Sequence, residues 1–257
     1  MRSSAGIYRT VLAPVLLGIA ALALWQLLVV AFDIKAFIVP GPVAIGSEFG
    51  ANLSTVLQGA LVTGGNALVG LVIGGVAGIL FAIVAALVRV IDELSAAVVA
   101  AIAVVPIVAL APVLYTMFGA AAETGRQLVA AIAVFIPVYI NTLRGLRQVR
   151  PVHRDLMRVY AASAWQTTRT VTVPGALPFI FTGLRIASSL AVISALIAEY
   201  FGGPIGGLGK SITSAASGSN YSLAWAYVLG AIIVGLVFYC VTLAIEKIAT
   251  RHYSPNT

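Results

Sequence analysis

The sequence predicts an all-α membrane protein with about six transmembrane helices, and three observations predict it. Of 257 residues, 61% are hydrophobic and only 9% charged, with a mean hydropathy of +1.07. A soluble domain covers its surface with charge, at about a quarter of all residues; this chain would show apolar surface to water everywhere, and lipid removes that difficulty. The apolar residues also run on continuously instead of alternating, which favours spanning helices over barrel strands. Finally, the charged residues fall in the gaps between these runs, where topology signals belong.

Each span follows from the need for about 20 apolar residues to cross a bilayer core. The first covers about 11–31. It is not a secretory signal, because the uncharged run Thr10–Phe32 exceeds an apolar signal core of about 7–15 residues and lacks a small-x-small site before Asp33. The uncharged stretch Phe49–Val88 is too long for one span. Its polar start (Asn52, Ser54, Thr55, Gln58) is placed outside the membrane, leaving a second span over 60–88. Here Gly70, Gly74, Gly78, Ala82 and Ala86 recur every four residues and form a face for close helix packing. The third span, 94–118, carries Pro106 and Pro112, each expected to kink it. The fourth, fifth and sixth cover 127–143, 179–201 and 223–245. With no domain boundary or internal repeat, the chain reads as one transmembrane domain, 1–257.

Charge orients the spans. With the N-terminus inside, the inner side holds Arg2, Arg9, Arg89, Arg144, Arg147, Arg150, Arg154, Arg158, Arg169, Arg185, Lys247 and Arg251. The outer side holds Lys35, Arg126 and Lys210. Such an excess of inner arginine and lysine puts both termini in the cytoplasm.

Several function classes are excluded. The formal charge of +7 is spread over gaps instead of forming a basic face with aromatics, so nucleic acid is not expected. Cys240, the single cysteine, permits no internal disulfide or cysteine cluster and reads as a small buried hydrophobe. His153 and His252 are isolated loop histidines without metal-ligand spacing, and no catalytic acid, base or nucleophile set converges. The run Gly202–Ser211 ends in Gly-Lys-Ser, yet Pro204 stands where a phosphate loop needs glycine. It follows an apolar run on the outer side and is expected to be a flexible external turn.

Glu199 lies near the outer end of the fifth span, only thirteen uncharged residues (Ile186–Ala198) beyond Arg185. Either one of the two charges snorkels or the glutamate faces a watery interior. Ser188, Val192, Ala195 and Glu199 share one helical stripe and form the candidate translocation path, since intramembrane acids mark functional sites by default.

The longest charged segment, 144–178, carries most of the inner arginines. Its centre, from Asp155 to Pro174, is expected to be helical up to the Pro174/Pro178 pair. In these residues the chain resembles the inner-membrane permeases of binding-protein-dependent ABC importers. Their signature is Glu-Ala-Ala, three residues, Gly, nine residues, Ile-x-Leu-Pro. Asp155, Leu156 and Met157 take the first three positions, Ala161 the glycine, and Val171, Val173 and Pro174 the last, so spacing is kept while several residue types depart. Further segments resemble the sulfonate, nitrate and taurine branch, which includes vitamin- and pyrimidine-precursor importers: Phe37–Pro42, Val105–Pro112, Ala162–Thr167, Pro174–Ala187 and Ala198–Gly209.

The resemblance implies a type I ABC importer permease fold, a bacterial inner-membrane location and no catalysis by this chain. ATP and Mg would sit on two partner ATP-binding subunits. A second permease copy or homologous permease would complete the path, and an extracytoplasmic substrate-binding protein would deliver a small organic solute or anion. It implies that the 144–178 loop forms a coupling helix seated on the ATPase. Asp155 would meet a basic partner, Ala161, Ala162 and Ser163 would allow close approach, Trp165 would anchor the helix to the membrane domain, and Pro174 would end it. The alternative is a secondary transporter driven by an ion gradient.

Overall fold

The computed structural model describes residues 4–119, 122–202 and 206–251; Arg2, Pro204 and His252 lie outside them. The order is α1 (Ser4–Ala31), α2 (Pro42–Ala51), α3 (Leu53–Leu87), α4 (Arg89–Val104), α5 (Ile107–Phe118), α6 (Thr124–Arg147), α7 (Pro151–Val159), α8 (Ala164–Thr167), a π-helical turn (Thr168–Thr172), α9 (Val173–Phe201), α10 (Leu208–Ser217) and α11 (Tyr221–Thr250). There is no strand among the described residues. Five helices are long and apolar enough to cross a membrane, or six if the bent pair α4–α5 forms one span.

The centre of the bundle is α3, α6 and α9. In lipid, helices gain nothing by hiding apolar groups from water, so contact depends on small residues that bring backbones close. Gly70 lies against Ala130, and Gly74 against the carbonyl of Ala131; a Cβ at either position would overlap α6. Ala67, Val134, Val138, Ala187 and Ala191 fill the seam. The four-residue stripe expected on this helix holds through Gly70, Gly74, Gly78 and Ala82, but Ala86 is exposed and Ala85 is buried instead. A spacing of four residues drifts by about 40° per step on a helix of 3.6 residues per turn, so the stripe leaves the contact.

Two spans differ from expectation. The polar residues before position 60 continue helix α3, which runs 35 residues. At 1.5 Å per residue this is about 52 Å, longer than a hydrocarbon core of about 30 Å, so its polar turns project beyond the apolar slab. The third span is not merely kinked: α4 and α5 meet at 99°. The break falls at Val105-Pro106, where proline forces the preceding residue into an extended conformation (Val105 φ −64°, ψ 125°). Pro112 stays inside α5.

Peripheral elements are tied by a few polar bonds. Gln26, near the C-terminal end of α1, accepts from Val43 N–H at 3.1 Å and so caps the start of α2. Trp25 meets Trp225 of α11 edge-on at 6.0 Å. Toward the other end, Arg185 of α9 pairs with Glu246 of α11 at 3.2 Å, Thr182 donates to the same carboxylate, and Ser188 bonds Thr242 at 3.1 Å. Cys240 is exposed on α11, not buried: in lipid a small hydrophobe loses nothing by facing outward.

Candidate functional site

Two constellations stand at opposite ends of α9. The first is the corner formed by α7 and α8. Pro151 starts α7, suited to an N-terminal position because its missing N–H would have no helical acceptor there. No residue of α7 is buried, and Val152, Leu156, Val159 and Tyr160 form an apolar stripe, 51–82% exposed. Spacings of four, seven and eight residues put them on one face, and no other part of the chain among the described residues covers it. His153 lies within this helix, not in a loop. Asp155 pairs with Arg158 of its own helix at 3.2 Å, with both side chains well exposed. Exposed pairs of this kind are weak, so another cation can take the carboxylate.

The corner turns at Ala161, whose φ is +50°. Ala161 N–H donates to Arg158 O and Ala162 N–H to Met157 O, both at 2.9 Å. These two bonds make a Schellman motif, whose left-handed residue is usually glycine. Ala161 is the residue aligned with the signature glycine, so the backbone supplies the reason for that glycine. Alanine in this conformation costs about 1–2 kcal/mol. Two residues later, Ser163 Oγ accepts from Gln166 N–H at 3.2 Å while Ser163 N–H donates to Gln166 Oε1 at 2.7 Å. This capping box closes the start of α8. A helix stop and a helix start thus share three residues, leaving no slack.

The expected helix up to the prolines is therefore divided at 160–163, and the prolines do not end it. From Ala164 to Phe201 the chain forms a 38-residue rod. Pro174 lies in the first turn of α9, just past the π-turn, where Val173 N–H donates to Thr168 O, five residues back. The wider turn provides room for the proline ring, which would strike the carbonyl four residues back in a tight α-helix. Trp165 is 72% exposed. It stands away from the membrane helices, contrary to the expected anchor, because α8 projects beyond their end.

The second constellation surrounds Glu199, which is fully buried. Thr63 Oγ1 donates to its Oε2 at 2.7 Å, Asn66 Nδ2 to Oε1 at 3.4 Å, and Gly209 N–H to Oε2 at 3.1 Å. Thr63 Oγ1 in turn accepts from Leu208 N–H at 2.9 Å, and Gln127 donates to Asn66. Arg126, 2% exposed, interacts with Tyr115 and Glu199, while the Tyr115 hydroxyl donates to Ala198 O at 2.6 Å. One carboxylate so links α3, α5, α6, α9 and α10. Buried charges persist where they are paired and hydrogen-bonded. Neither charge of the fifth span has to snorkel, since Arg185 has Glu246 and Glu199 has this cluster.

Of the expected external turn, 203–205 lie outside the described residues and Leu208–Ser211 begin α10, with Leu208 and Gly209 buried. Its glycines serve the carboxylate. A Cβ on Gly207 would coincide with the Glu199 carboxyl group, and one on Gly209 would lie 2.8 Å from Glu199 Cβ and against Leu196 O.

Ser188, Val192, Ala195 and Glu199 do share one face, but that face packs inside the chain, with Ser188 and Ala195 wholly buried. Val192 alone of the four also borders a cavity of about 570 Å3 between α9, α10 and α11, with Ser189, Gly235 and Tyr239. Arg126, Thr63, Asn66 and Tyr115 were not anticipated. A lone arginine in a short gap looks like a topology charge, although Thr63 and Asn66, three residues apart in an apolar span, were a usable signal.

The family described as binding-protein-dependent transport system inner membrane component matches residues 70–254. The chain is 31% identical to the riboflavin transport system permease protein RibX of Chloroflexus aurantiacus, over 90% of this chain and 86% of that protein. It is 29% identical to the putative aliphatic sulfonates transport permease protein SsuC of Bacillus subtilis, over 86% and 80%. Among solved structures, an inward-facing MetNI methionine ABC transporter matches at 16% identity with a TM-score of 0.65, over 78% of this chain and 98% of that one.

Proposed function

The chain belongs to the family of binding-protein-dependent transport system inner membrane components, and from that membership we propose how its residues serve transport. It is the multi-pass permease subunit of an ABC importer. The α7–α8 corner is its coupling element: it seats on a separate ATP-binding subunit, which holds ATP and Mg and performs the hydrolysis. The observation that carries this is the apolar stripe Val152, Leu156, Val159 and Tyr160, uncovered on a helix that projects from the bundle. An exposed helix face of this kind fits a groove in a partner.

Within the corner, Asp155 exchanges Arg158 for a cation of the ATPase, Ala161, Ala162 and Ser163 hold the sharp turn, and Trp165 contacts the partner from its exposed position. Pro174, beside the π-turn, marks where the corner joins the rod. The assembly contains two ATP-binding subunits, a second permease copy or homologous permease, and an extracytoplasmic substrate-binding protein, with both termini cytoplasmic in a bacterial inner membrane. Riboflavin and aliphatic sulfonates, named for two relatives, are both small, which supports a small organic solute or anion as cargo. Of the path candidates, Val192 lines the route where it borders the α9–α11 cavity. Ser188, Ala195 and Glu199 support that wall from behind.

The test uses the complex reconstituted in vesicles with its binding protein. Leu156→Glu with Val159→Glu should prevent the ATPase from co-purifying while membrane insertion persists. Asp155→Lys should allow assembly but uncouple hydrolysis from uptake. Normal uptake and solute-stimulated hydrolysis in both variants would refute the coupling role.

A further inference from the structure

A groove of about 400 Å3 runs between α4 and α6 at the end from which the coupling corner projects. Its two ends differ in chemistry. One end carries Arg144 and Arg147 in the last turn of α6 and Asp92 in the first turn of α4. The remainder is apolar, and its α4 wall is made of Ala96, Ala100 and Ala103, all exposed. Asp92 to Ala103 spans about 16 Å along the helix.

Polar bonds set the width of this groove. Ser95 Oγ and Tyr139 OH lie 2.6 Å apart and buried, and Arg147 pairs with Asp92 at 2.5 Å. The small alanines then leave an open channel beside the buried Val99. Arg147 has five donors and its pair with Asp92 engages one nitrogen, leaving others for a second anion. Arg144 forms no ion pair with any described acid.

We propose that this groove holds an anionic phospholipid, with its phosphate on Arg144 and Arg147 and one acyl chain along the alanine wall of α4. Charge complementarity selects the headgroup, because guanidinium groups pair with phosphate through parallel N–H donors. The apolar remainder selects a molecule that carries its phosphate on a hydrocarbon chain. Basic pockets between membrane helices on the leaflet facing the cytoplasm take anionic lipids for the same reason. Only Gln148 to Arg150 separate this site from α7, so an occupied groove steadies the base of the corner.

The experiment takes the complex with its ATPase in nanodiscs of equal phosphatidylglycerol and phosphatidylcholine and counts retained lipid by native mass spectrometry. Phosphatidylglycerol should be retained in preference. Arg144→Gln should lower its retention about tenfold, the effect of one lost charge-assisted bond, and Arg144→Lys should keep most of it. Ala100→Leu, which fills the groove and leaves every charge in place, should also expel the lipid. Unchanged retention in Arg144→Gln and Ala100→Leu overturns the proposal. So does displacement of the lipid by inorganic phosphate, which would assign the arginines to a free anion. A disulfide between two copies carrying Ala100→Cys would equally overturn it, since a second permease would then cover the groove.

Discussion

Ala161 shows how much one backbone angle explains. A motif that prefers glycine has alanine here, at a φ of +50°, and the corner forms because the Schellman bonds and the capping box on either side impose it. Ala161→Gly should therefore stabilise the corner by about 1 kcal/mol, read as a higher unfolding temperature of the purified complex with transport retained. Glu199 presents the opposite case, a residue whose neighbours depend on it. Glu199→Ala removes the acceptor of Thr63, Asn66 and Gly209 together. It should cost about 3–5 kcal/mol, as breaking a buried charge cluster does, measured by unfolding in mixed micelles. From the sequence alone, Glu199 was visible as a charge inside an apolar run. Its partners were not, because Thr63 lies 136 residues before it and no periodic pattern connects them.

Among the elements, α7 and the α9–α11 pair respond to substitution in different ways. The α7 stripe contributes nothing to folding of the isolated chain, so its loss should leave thermal stability unchanged while abolishing partner binding. The Arg185–Glu246 pair is partly buried, at 28% and 16% side-chain exposure. Either single substitution to alanine should cost about 2–3 kcal/mol, and the exchange Arg185→Glu with Glu246→Arg should restore most of it, checked by detergent unfolding of the three variants. Span existence and order were legible in the sequence because continuous apolar runs are a strong signal. The helical corner was legible as a region, but its break at 160–163 was not, since Tyr-Ala-Ala-Ser contains no glycine or proline to mark it. The 99° bend at Val105-Pro106 was only half legible: proline marks the place of a break, and neighbouring helices decide its angle.

For the whole molecule, the discriminating property is the energy source. Uptake by vesicles containing the complete importer should require hydrolysable ATP inside and persist when a protonophore collapses the ion gradient; the reverse dependence would identify a secondary transporter. The fold class and the family signature were readable because composition reports the solvent and spacing survives substitution. The role of Ser188, Val192, Ala195 and Glu199 was not, since a stripe of this kind suits packing and a channel wall equally well. The unbroken rod from Ala164 to Phe201, about 57 Å long at helical rise, has a consequence for timing. A stiff beam that tilts about its middle swings its two tips in opposite directions at the same moment. A push on the tip near Ser163 would spread or narrow one mouth while doing the contrary at the Glu199 end, so the two mouths need no separate signal to avoid being open together.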